Sequence, residues 1–134
     1  MGDANSMIDM KQQFTNYANS AASGQLIIED GVADKCIQHC QNYLVDLNAL
    51  KFRCSELVHV ASFGTLKSAS ALGNKFHTLA IGDTGTGSLK EAIQERIDVV
   101  MQMEEMFKKA KDAFTSSDEA TKDKLRQAMN KIDK

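Results

Sequence analysis

From Leu26 to Ala61, apolar residues return every three or four positions and polar residues fill the intervals. Cys36, Cys40, Tyr43, Leu47, Leu50, Cys54, Leu57 and Ala61 follow spacings of four, three, four, three, four, three and four. That is the rhythm of a long helix laying one apolar seam on its neighbours. Ala33, Ile37, Leu44 and Val58 flank the seam and widen it into a packing face. Asp34, Gln38, Asn42, Asp46 and Arg53 fall between these positions and suit a solvated face. No proline or glycine interrupts the run after Gly31. At about 1.5 Å per residue, such a helix reaches roughly 45 Å, and a rod of that length needs another rod beside it.

The second rod follows from Leu89, Ile93, Ile97, Val100, Met103, Phe107, Ala110 and Phe114, again three or four apart. Glu91 and Glu95 sit in its early turns and Lys108, Lys109 and Lys111 in its late ones, as the helix dipole favours. Ser88 and Glu91 have the spacing of a capping box at its start. Ser62-Phe63-Gly64 ends the first rod, with Gly64 as its C-terminal stop. Leu66, Ala69, Leu72, Phe76 and Leu79 predict a short helix before the loop Gly82-Asp83-Thr84-Gly85-Thr86-Gly87-Ser88. Two rods of similar length with a bent connection predict an antiparallel helical hairpin over 26–116. Residues 1–25 form an N-terminal extension, in which Met7, Met10, Phe14, Tyr17 and Ala21 predict a short amphipathic helix. Residues 117–134 form a charged, mobile tail. Ser116 and Glu119 predict the cap of its short helix, with Ala120, Leu125, Met129 and Ile132 on one side.

The 134 residues suffice for one domain and contain no proline and no tryptophan. Without proline, long helices are not forced to stop. No sustained period-two alternation occurs, so the fold class is all-α. The formal net charge is −2, with acidic and basic residues interleaved. No basic patch for nucleic acid or an anionic membrane surface emerges. No run of eighteen apolar residues calls for membrane insertion, and no cleavable signal peptide is visible, so a cytoplasmic protein is expected. Any export then uses a route without signal cleavage. Met1-Gly2 with Ser6 matches the loose myristoylation pattern, but no second membrane signal supports it.

Candidate chemistry is sparse. Cys36, His39 and Cys40 share one helical face, with Cys54 and His59 farther along, a set that invites a thiol or zinc sensor. The closing ligand is missing, because His77 is the only other soft ligand outside this helix, and the apolar rhythm already demands cysteine-sized residues there. No metal or cofactor is expected. The glycine-rich loop follows a helix rather than a strand and lacks the Gly-Lys-Ser/Thr ending of a phosphate cradle. The pairs Glu104-Glu105 and Asp118-Glu119 lie on solvated faces, and no nucleophile stands in a catalytic setting. The chain reads as a non-enzyme.

An interaction protein remains. The seams hold more apolar surface than a two-helix hairpin buries, so Ile37, Leu44, Met101 and Met106 are expected on a partner-binding surface. A plain self-associating coiled-coil protein is the alternative. Phe114-Thr115-Ser116-Ser117-Asp118 is an F-x-x-x-D just after the second rod, expected to expose an apolar knob beside an anion. A second aromatic-x-x-x-acid match, Phe52 to Glu56, shows that position carries more weight than pattern.

A proline-free hairpin with a break near its middle and this motif after its second helix resembles the WXG-type superfamily of type VII secretion. Phenylalanine at the motif's head is most similar to the small helical targeting partners of LXG toxins in Gram-positive bacteria. The resemblance covers roughly residues 28–118. W-x-G itself is absent, Ser62-Phe63-Gly64 standing in its place, and residues 66–80 lengthen the connection. The resemblance implies an adaptor that binds the toxin's N-terminal helical domain, alongside a second small helical partner. It implies that Phe114 and Asp118 form a secretion signal read by the secretion ATPase, and that the isolated chain can form a homodimer.

Overall fold

The computed structural model describes residues 2–60, 67–81 and 88–132. Within them lie five α-helices and no strand: α1 (Gly2–Ala22), α2 (Asp30–Val60), α3 (Lys67–Ala80), α4 (Leu89–Thr115) and α5 (Glu119–Ile132). The expected all-α class is therefore found. The bend at Ser62-Phe63-Gly64 and the loop from Gly82 to Gly87 lie outside the described residues.

Each helix end has a local cause. Gly24, with φ of +82°, ends α1 in the left-handed conformation that glycine adopts without a Cβ penalty. The Gln25 N–H donates to the Ser20 carbonyl (2.8 Å) and the Gly24 N–H to the Ala21 carbonyl (3.0 Å), the paired bonds of a Schellman stop. At the start of α2 the Val32 N–H donates to Glu29 Oε2 at 3.0 Å. A Cβ on Gly31 would stand 3.2 Å from that oxygen, so glycine gives the Glu29 carboxylate room to fold over the helix end. Ser88 starts α4 as expected. Its hydroxyl accepts from the Glu91 N–H (3.2 Å) and donates to the Ile81 carbonyl (2.9 Å), tying the end of α3 to the start of α4.

The chain forms two compact units, with boundaries inside α2 and α4. Unit 1 comprises residues 1–43 and 99–134. In it the Thr15 hydroxyl donates to Gln102 Oε1 (3.2 Å), and Lys111 Nζ meets Asp34 Oδ1 at 2.6 Å. The Ile28 N–H donates to the Ala110 carbonyl (3.3 Å), drawing the α1–α2 connection against α4. Ala110 and Ala33 are fully enclosed, and Ala18 and Ala21 are buried on α1. Small residues at these positions let helices approach closely. Unit 2 comprises residues 44–98. In it Lys51 Nζ donates to Gln94 Oε1, and Leu47, Cys54, Ala80, Ile93 and Ile97 are buried.

The seam of α2 differs from the expected one in a specific way. Its buried residues are Ala33, Cys40, Leu47 and Cys54, one per heptad. The column beside them is Ile37, Leu44 and Lys51, all half-buried, whereas Tyr43 and Leu50 are 46% and 47% exposed. Two overlapping rows of four-three spacing share Cys40, Leu47 and Cys54, and the helix packs on the row turned the other way. On α4, Ile93, Ile97, Val100 and Ala110 are buried as expected, but Leu89 is 51% exposed. Val99 and Met106 are buried in addition. Both lie in unit 1, where α4 meets α1 as well as α2 and so buries a wider face.

Candidate interaction site

The chain turns sharply from α4 into α5 at Ser116–Asp118, and the F-x-x-x-D residues stand on either side of the turn. The Ser117 N–H donates to the Phe114 carbonyl (3.0 Å), and the Ser117 hydroxyl donates to the Ala113 carbonyl (2.8 Å). These bonds satisfy carbonyls that the last turn of α4 would otherwise leave open. Asp118, and not the expected Ser116, caps α5. Its Oδ1 accepts the Thr121 N–H at 2.7 Å, and its carbonyl accepts the Lys122 N–H at 3.1 Å. Ser116 is committed to the end of α4, its N–H donating to the Asp112 carbonyl, which leaves the capping position to Asp118. The hydrogen bonds from Thr121, backbone first and side chain second, hold the Asp118 carboxyl below its ordinary value.

Phe114 is not the exposed knob expected from sequence. Its side chain is 1% exposed, the largest fully buried side chain among the described residues. The Arg126 guanidinium of α5 lies over its ring, 5.4 Å from the centroid, within the range of a cation–π contact. Asp118 by contrast is exposed. The motif thus presents an anion at the surface and keeps its aromatic ring under α5.

The α5 helix touches the rest of unit 1 lightly. No residue of it is buried, and Thr121, Lys122, Leu125 and Met129 are half-buried along one side. A groove of about 340 Å³ lies between the start of α2 and α5, lined by Gly31, Val32 and Lys35 on one side and Arg126 and Met129 on the other. Next to it, Asp30 is held below the ordinary carboxylate value, chiefly by a hydrogen bond with Glu29 and in lesser part by the positive charges of Arg126 and Lys111. The Arg126 charge of α5 thus favours the Asp30 anion at the start of α2.

The expected partner surface is redistributed. Met101 is 53% exposed, Ile37 and Leu44 are half-buried in the α2 seam, and Met106 is buried at 7%. Met106 leaves the surface because the chain covers that side of α4 itself. The large apolar side chains most open to solvent in unit 2 are Val45 (69%) and Phe52 (67%) on α2 and Leu79 (69%) on α3, with Leu72 at 50%. Val45 and Phe52 are two helical turns apart, as are Leu72 and Leu79, so each pair forms a short apolar row on its helix. Periodicity alone could have flagged them, since both pairs sit at heptad spacing.

The cysteines are free: Cys40 and Cys54 are buried and Cys36 is half-buried. Burial, then the Glu104 charge and Cys36, push the Cys40 thiol upward, away from the thiolate that reacts or binds metal. His39 is exposed, and the His59 side chain lies outside the described residues. Among the described residues no three His, Cys, Asp or Glu side chains gather into a metal-binding group, and no helix is long and apolar enough to cross a membrane. Comparison with protein-family models, curated proteins and solved structures gives no match.

Proposed function

We propose that this chain is a non-catalytic adaptor that binds the N-terminal helical domain of an LXG-type toxin and supplies part of a type VII secretion signal. The observation that carries the binding half is the set of uncovered apolar rows in unit 2, Val45 with Phe52 and Leu72 with Leu79. Rows at this spacing suit a partner helix, which lays matching side chains on them and removes both from water. In unit 1, Met101 is an exposed apolar side chain in its own right.

The hairpin of α2 and α4 belongs to this reading. Within unit 1, Asp34 pairs with Lys111, while Glu104 acts on Cys40, so numbering rises on one helix as it falls on the other. Asp118 supplies the anion of the signal, and Phe114 its aromatic member. The secretion ATPase would be the reader of that signal.

Co-expression with the helical domain of an LXG toxin, followed by purification through a tag on the toxin, tests the binding half. A stable complex that is lost on joint replacement of Val45 and Phe52 by Glu, with helix content unchanged, supports it. Failure of any LXG helical domain to retain the folded chain overturns it. Export of the bound toxin by the Asp118→Asn variant at the unsubstituted level overturns the role of the anion.

A further inference from the structure

We propose that α5 is a displaceable cover that hides Phe114 in the isolated chain, and that the ring becomes accessible when α5 swings away about Ser117–Asp118. Its bearing on export rests on the reading of Phe114 and Asp118 as a signal; the opening itself does not.

Burial across the contact is one-sided. Phe114 is 1% exposed, yet no residue of α5 is buried. A helix whose side chains are at most partly buried, along one side only, has limited apolar area holding it in place. What it does offer is the guanidinium of Arg126 over the ring and the half-buried side chains of Leu125 and Met129. The groove of about 340 Å³ between Met129 and the start of α2 leaves part of the space between the two helices unfilled. The attraction between Arg126 and Asp30 acts between solvated groups and holds the helix weakly.

The connection is built to let α5 move as a unit. Ser116 and Ser117 bond back to α4, and Asp118 bonds forward to Thr121 and Lys122. Both helix ends are therefore capped by residues of the turn itself, and neither cap requires contact between α4 and α5. Rotation between Ser117 and Asp118 leaves both intact. The contacts of α5 with Phe114 and with the first turn of α2 are given up. The opened form would carry an accessible apolar ring and an exposed carboxylate on either side of the turn, within reach of one receptor groove.

Hydrogen exchange and hydroxyl-radical labelling of the full-length chain test the cover without any partner. The expected result is protection of the α5 amides at least about tenfold below that of residues 106–114 of α4. Arg126→Ala should then speed α5 exchange and oxidation of the Phe114 ring together, by about 2- to 5-fold, with exchange at 106–114 unchanged. Exchange of α5 in step with α4 overturns the proposal, because α5 would then leave only on global unfolding. Faster α5 exchange with no change in Phe114 oxidation overturns it as well, because the helix would be fraying in place. An export assay that shows no need for Asp118, beside an α5 that opens as described, refutes the signal and leaves the cover standing.

Discussion

Arg126 places its guanidinium 5.4 Å from the centroid of the Phe114 ring, so a residue of the tail closes the far end of α4. Because the ring is enclosed, Phe114→Ala should cost about 3–5 kcal/mol of stability. Phe114→Leu should lose less than about 1.5 kcal/mol, and Arg126→Ala about 0.5–1 kcal/mol. Urea unfolding followed by far-UV circular dichroism gives all three. A loss from Phe114→Ala no larger than that from Arg126→Ala would show that the ring is not a core residue. Export experiments on Phe114 are accordingly best made with Phe114→Leu, which removes the aromatic ring and keeps the fold.

Asp118 separates a cap from a charge. Asparagine caps helices about as well as aspartate, so Asp118→Asn should leave α5 helical, while Asp118→Ala should reduce helix content at residues 119–132. The folded-state value of this carboxyl lies below the unfolded one, through its bonds to Thr121. Its contribution to α5 is therefore fully present above the unfolded value of about 3.9 and is lost as pH falls through the depressed folded value. Backbone chemical shifts of residues 119–132, followed as pH falls from neutral through the carboxylate range, should show α5 loosening at the acid end. Asp118→Asn should remove that part of the pH response.

The thiols should differ in reactivity by burial. Iodoacetamide at mildly alkaline pH should label Cys36 first and Cys40 and Cys54 only as the fold opens, as read by mass spectrometry of peptides. Cys40→Ala should lower stability by about 1–2 kcal/mol, the loss expected of a small buried side chain. Labelling of Cys40 ahead of Cys36 would mean that the α2 seam is open in solution.

Val45→Glu with Phe52→Glu should change the stability of the isolated chain by no more than about 0.5 kcal/mol per site, since both side chains already face solvent. A much larger loss would place these residues in a self-association interface, which sedimentation of the unsubstituted chain would reveal directly.

Helix positions were legible in the sequence because apolar spacing and capping residues act locally. Ser88 marked a real boundary. The choice of seam on α2 was less legible, since Cys40, Leu47 and Cys54 belong both to the row with Tyr43 and Leu50 and to the row with Ile37 and Leu44. Only the direction of the neighbouring helices decides between them, and that is a tertiary property. Met106 was expected at a partner surface for the same reason: periodicity records that a side chain is apolar without saying whether its cover comes from the same chain. The contact of Arg126 with the Phe114 ring depends on how α5 is seated, and the apolar side of that helix was legible but its seat was not. Competition between Ser116 and Asp118 for the cap was settled by the end of α4, which uses Ser116 for itself.

The bond from the Ile28 N–H to the Ala110 carbonyl also sets an order of events during synthesis. Thr15 and Gln102, joined in the same unit, are 87 positions apart, and Asp34 and Lys111 are 77 apart, whereas Lys51 and Gln94 of unit 2 are 43 apart. A chain emerging from the ribosome N-terminus first completes the partners of unit 2 before those of unit 1. Until α4 emerges, Ala18, Ala21 and Ala33 have no α4 to pack on, and residues 1–43 wait for residues 99–134 to appear. Unit 1 therefore forms only after residues 99–134 have emerged, and a stalled nascent chain that stops before Ala110 would present α1 and the start of α2 to whatever chaperone or helix lies nearby.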